Sequence, residues 1–179
     1  MTTSEVTASE IYLIRYGVVS EVARFVNEGP EIPARGTPVV VETDRGLQIG
    51  TVLEQLKPHY SKADESPTEF KLVRSATDRD LQTARELIRE CEADFPEWCA
   101  RICQWELNLE LVDLERTLDR EKLILYVLCD RGPDTTKLAL QAAAGGFGVI
   151  EVQPVSSTGL VPLPRASCGS GGGGCGCDH

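Results

Sequence analysis

Apolar positions along the chain change their spacing near residue 77, from short dense runs to a three-to-four-residue repeat. Dense runs of β-branched and aromatic residues bounded by turn formers predict strands, whereas the longer repeat keeps one face of a helix apolar. Ile11 to Gly17 and Glu21 to Asn27 are runs of the first kind, interrupted at Gly17 and ended by Gly29-Pro30. Pro38 to Thr43 and Leu47 to Leu53 flank the polar turn Asp44-Arg45-Gly46 and predict a β-hairpin. Together these segments predict a small, strongly bent antiparallel sheet. From Gln55 to Glu69 the chain turns polar, with Pro58, Pro67 and Asp64-Glu65-Ser66, as a linker does.

The helical repeat is carried by Leu81, Ala84, Ile88, Cys91, Phe95, Trp98, Ile102 and Trp105. Thr77 is placed to cap its start, with Asp78 and Asp80 near the positive end of the helix dipole. Pro96 interrupts the run, and Asp94 with Glu97 has capping-box spacing around it, so the segment reads as one kinked helix or as two. Strands follow at Leu107 to Leu118 and Lys122 to Asp130, then a helix from Asp134 to Ala144 ended by Gly145-Gly146, then a strand from Val149 to Val155. The class expected is α+β: a small antiparallel β subdomain, then an α-β-β-α-β subdomain with its helices on one sheet face, then a flexible Gly/Cys tail. In residues this divides into a disordered N-terminus (1–10), one domain (11–155, made of a β subdomain 11–55, a linker 56–69 and an α/β subdomain 70–155) and the tail (156–179).

Charge narrows the function classes. Lys and Arg number 18 against 28 for Asp and Glu, a net charge of -10 over 179 residues. Nucleic-acid binding draws much of its affinity from cations neutralising phosphates, so direct RNA or DNA binding is disfavoured. The longest apolar stretch, Leu123 to Cys129, is far shorter than the roughly 20 residues of a membrane-spanning helix, so no membrane insertion is expected. Met1 to Glu10 is polar and acidic, unlike a signal peptide, and the expectation is a cytoplasmic protein with reduced thiols.

Catalytic chemistry finds little footing in the body of the chain. The two histidines, His59 and His179, stand in no nucleophile setting, and no phosphate-binding loop appears. Gly145-Gly146-Phe147-Gly148 follows a helix and reads as its end. Asp113 and Glu115 share a strand face, expected to be solvated. Cys91, Cys99, Cys103 and Cys129 sit in apolar segments and are expected to pack as small hydrophobes; the spacing of Cys99 and Cys103 also suits convergence on one metal, but core packing is the favoured reading. The tail differs: Cys168, Cys175, Cys177 and His179 are four soft or borderline ligands within twelve residues, separated by glycines that let the backbone wrap an ion. Zinc or an iron-sulfur cluster suits such donors, and a flexible Gly-rich appendage is the competing reading.

Three runs carry a family resemblance: GTPVVVETDRGLQIGTV (Gly36 to Val52), ATDRDL (Ala76 to Leu81) and LELVDLERTLDREKLILY (Leu109 to Tyr126). In this order they resemble the PSP-one C-terminal domain family, that of the YaaT- or RicT-like stage-zero sporulation proteins. The resemblance implies a non-catalytic cytoplasmic regulatory adaptor in a multiprotein complex, with protein partners, associated with a membrane-bound ribonuclease, RNA processing and developmental regulation. It also implies an iron-sulfur role for C-terminal cysteines, here Cys168, Cys175 and Cys177. The rival function is a metal-carrying or redox protein whose working part is the tail.

Overall fold

The computed structural model describes residues 10–57, 70–129 and 133–161. Its first half is a closed barrel of five strands, β1 (Glu10–Tyr16), β2 (Glu21–Asn27), β3 (Pro38–Thr43), β4 (Gly46–Gln55) and β5 (Phe70–Ser75), in the order β1-β2-β5-β3-β4. The β3–β4 hairpin pairs Thr43 with Gly46, and Gly46 takes a φ of 124°, a backbone conformation open to glycine. Alternation along the strands turns Tyr12, Ile14, Tyr16, Phe25, Val39 and Val41 into one core, where Tyr16 meets Phe25 edge-on at 5.3 Å. Gly50 permits the tightest approach in this wall, because a Cβ there would collide with Ile14 and crowd the carbonyl of Arg15.

Closure depends on β5, a strand for which the sequence pattern gave no separate signal. It runs antiparallel to β3 and parallel to β2, so the first unit is a mixed barrel rather than an antiparallel sheet. Six residues with a partly buried Phe70 and a buried Leu72 are too brief a pattern to stand out between a polar stretch and a helix cap. Chain order therefore does not follow the two units cleanly, since residues 70–75 lie in the barrel.

The second half holds α1 (Asp78–Gln104), β6 (Glu110–Arg116), β7 (Lys122–Leu128), α2 (Asp134–Ala144), β8 (Val149–Ser156) and β9 (Gly159–Leu160), with a sheet ordered β6-β7-β8-β9. Thr77 caps α1 as expected, and Asp80 completes a full capping box with it. The helix is continuous through Pro96. No restart occurs because Asp94 instead accepts from Arg116 at 2.9 Å and Glu97 pairs with Arg101 within the helix. Strands β7 and β8 are parallel, joined through α2, and both helices contribute to one core with Leu114, Leu125 and Val152 of the sheet. Trp98, Ile102, Leu138 and Ala142 bring the helices into it.

Two further differences concern boundaries and phase. Leu87 is buried whereas Ile88, assigned to the apolar face from its spacing, is 52% exposed, since the sheet covers a stripe running through Leu87, Cys91, Trp98 and Ile102. Beyond Ser156 the chain turns back as β9, and the amide of Val161 donates to the carbonyl of Pro154 at 3.0 Å. Among the described residues no helix is long and apolar enough to cross a membrane. Residues 1–9 of the expected N-terminal segment, 58–69 of the linker and 162–179 of the Gly/Cys tail lie outside the described residues.

Candidate functional site

The sheet face turned away from the helices carries Ile124, Tyr126 and Val155, packed with Val19 of the β1–β2 turn. At this seam the two units share a buried polar network. Glu115 on β6 is 9% exposed and accepts three hydrogen bonds: from Tyr126 Oη at 2.6 Å, from Gln48 Nε2 at 2.7 Å and from the Val18 amide at 3.2 Å. Gln48 Oε1 in turn accepts from Thr43 Oγ1 at 2.9 Å. Arg45, in the β3–β4 turn, pairs with Glu21 at 2.7 Å and reaches Tyr126 Oη at 3.4 Å. A backbone bond from the Leu118 amide to the Leu47 carbonyl, 2.7 Å, ties the same strands together.

Burial sets the electrostatics here. It pushes the Tyr126 and Tyr16 hydroxyls well above the usual phenol range, reinforced by Glu115 and Glu21 respectively. Burial opposes the charge on Arg45, but its neighbours Tyr126 and Glu21 outweigh that and shift the guanidinium upward from its already high range. Charge and hydrogen-bonding capacity are thus largely consumed within the network, which suits it to joining barrel and sheet. The expectation of a solvated Asp113–Glu115 face is corrected for Glu115. A bulge at Leu111/Asp113 shifts the β6 register, and the barrel covers the carboxylate that alternation alone would leave in water. Asp113 is half-buried, its Oδ1 accepting from the Leu114 amide at 2.8 Å.

Beside the network lies a cleft of about 270 Å³ between the β1–β2 turn, β4, α1 and β6. Val18, Ile49, Ala84, Ile88, Leu114 and Leu118 supply its apolar walls, with Glu115 and Arg116 as charged members. Val18 and Ile88 are 41% and 52% exposed. Cys91 also lines it; burial pushes this thiol up to about 11, so it is protonated at neutral pH.

The other cysteines divide. Cys129 is half-buried against the helix–sheet core, in line with the packing expectation, whereas Cys99 and Cys103 are exposed, which overturns it for that pair. Each follows a buried residue, Trp98 and Ile102, and a step of 100° around the helix carries it off the covered stripe. Gly145-Gly146 ends α2 as read, with Gly146 at a φ of 75°. Cys168, Cys175, Cys177, His179 and His59 lie outside the described residues, and among the described residues no three His, Cys, Asp or Glu side chains gather as metal ligands. Sequence reasoning missed Glu21, Arg45, Gln48 and Tyr126. The available signals were slight: an Arg within a tight hairpin turn, and a Tyr inside the apolar run of β7.

No protein-family model and no solved structure matches the chain. A curated relative, "Stage 0 sporulation protein YaaT" of Bacillus subtilis (strain 168), is 33% identical over 109 residues, which cover 59% of this chain and 38% of the relative. The match thus spans well under half the relative's length. Over that stretch the chain is similar to this sporulation protein.

Proposed function

We propose that the chain is a non-catalytic regulatory adaptor that acts in a multiprotein complex in the cytoplasm and influences a developmental pathway. The observation that carries this is the likeness to a protein named for stage 0 of sporulation. The seam supports it: acids and bases that would otherwise serve catalysis are spent on one another, fixing two units as one body. The cleft margin at Val18 and Ile88 offers apolar surface of the kind protein partners cover. In the test, the chromosomal copy is deleted and, separately, tagged for gentle purification. The expected result is altered timing of a developmental transition, with other protein subunits co-eluting in fixed ratio. Normal development together with elution as a lone protein overturns the proposal.

A second reading, a metal-carrying or redox protein working through Cys168, Cys175, Cys177 and His179, rests on the density of donors in that stretch of sequence. The same purification separates the two, because a lone protein with stoichiometric zinc or iron-sulfur absorption favours this second reading.

A further inference from the structure

The exposed thiols of Cys99 and Cys103 are used neither by the core nor by the seam. They stand one turn apart on the same face of α1, in a stretch of helix anchored from both sides. Trp98 and Ile102, the residues immediately before them, are 3% and 5% exposed in the core. Between them Arg101 lies over the rings of Trp98 and Phe147, at 4.9 and 4.3 Å from the centroids, and pairs with Glu97. The two cysteine backbones are therefore held in fixed relation, while their side chains stay open to solvent.

Residues four apart on a helix have Cβ atoms about 5–6 Å apart. Two metal–thiolate bonds of about 2.3 Å placed end to end span about 4.6 Å, which sulfurs projecting from such a pair can bracket. Among the described residues no third carboxylate, imidazole or thiol joins them, so the pair presents two soft donors and no more. Two thiolates in line are the set that copper(I) accepts, whereas zinc asks for four ligands and calcium or magnesium for oxygen.

We infer that Cys99 and Cys103 form a two-thiolate site for a soft monovalent metal ion of the copper(I) class. As each sulfur–metal bond forms, one thiol proton leaves to solvent; no electron is transferred, and the ion arrives already in its reduced state. The site uses none of the residues from Cys168 to His179 and goes beyond the adaptor role.

The test uses the full-length chain carrying Cys168→Ser, Cys175→Ser and Cys177→Ser, so that the tail thiols do not compete. Copper(I) is titrated without oxygen against a chromophoric copper(I) chelator. One equivalent withheld from the chelator is expected, with at least a tenfold loss of affinity in Cys99→Ser and in Cys103→Ser separately, and little further loss in the double variant. Far-UV circular dichroism and the thermal transition check that each variant folds, as exposed positions should allow. Copper left wholly with the chelator, or either single variant binding like its parent, overturns the inference.

Discussion

Removing the Glu115 carboxylate strands three donors at once, those of Tyr126, Gln48 and the Val18 amide. Breaking a buried charged network by deleting one member costs about 3–5 kcal/mol, so Glu115→Ala is expected to lower stability by about that much, and Tyr126→Phe by about 1–2 kcal/mol. Denaturant midpoints read this, and a Glu115→Ala change below about 0.5 kcal/mol would show the network to be idle. Cys91 and Tyr12 set an alkaline limit. Burial raises the thiol to about 11, and burial with the neighbouring Glu10 carboxylate raises the Tyr12 hydroxyl to about 12. The folded state therefore holds these protons more tightly than the unfolded chain, which makes their contribution complete at neutral pH. It is lost as pH rises from about 9 to 11 for Cys91 and from about 10 to 12 for Tyr12. Urea midpoints measured across that range should fall, and Cys91→Ala should flatten the lower part of the decline.

Helix α1 was legible from its period and its Thr77 cap, because both are local properties, whereas the pattern leaves its continuity through Pro96 open. The aromatic contact that it makes beyond α2 was not legible. Trp98 meets Phe147 at 5.2 Å and 60°, a contact between residues far apart in sequence and set by how the chain returns after α2. Phe147→Ala removes this edge-on contact and half of the clasp on Arg101, with an expected loss of about 1–3 kcal/mol. Gly145→Ala should disturb the same clasp from the other side, since a Cβ there meets the Phe147 ring. Near-ultraviolet dichroism of the two tryptophans reads both variants, and unchanged spectra would deny the clasp any role in packing α1.

For the whole molecule, the shared seam predicts that barrel and sheet unfold together. A chain ending at residue 161 keeps every described residue and should show one sigmoidal thermal transition at the midpoint of the full chain. Cutting after residue 155 removes β9 and leaves the buried Gln153 amide without the Val161 carbonyl, which accepts from it at 2.9 Å. That loss is about 1–3 kcal/mol, or roughly 3–10 °C in midpoint. Two separate transitions in the longer chain would mean that the seam does not couple the units. With a net charge of -10, neither chain should bind generic RNA in a salt-sensitive way, which filter binding at two ionic strengths checks.

Local pattern by itself determined the kinds of element, most of their bounds, the α+β class and the placing of both helices on one sheet face. These follow from periodicity, caps and turn residues, which act over a few neighbours. The tertiary structure alone decided that Phe70–Ser75 closes a barrel by pairing with two distant strands. It also decided that Glu115 is covered while Cys99, Cys103 and Ile88 are not. An apolar or polar pattern states which face a segment prefers to bury, but burial itself belongs to whatever packs against that face. Here the barrel packs over one side of the sheet and the sheet over one stripe of α1, contacts between residues remote in sequence that no short window contains.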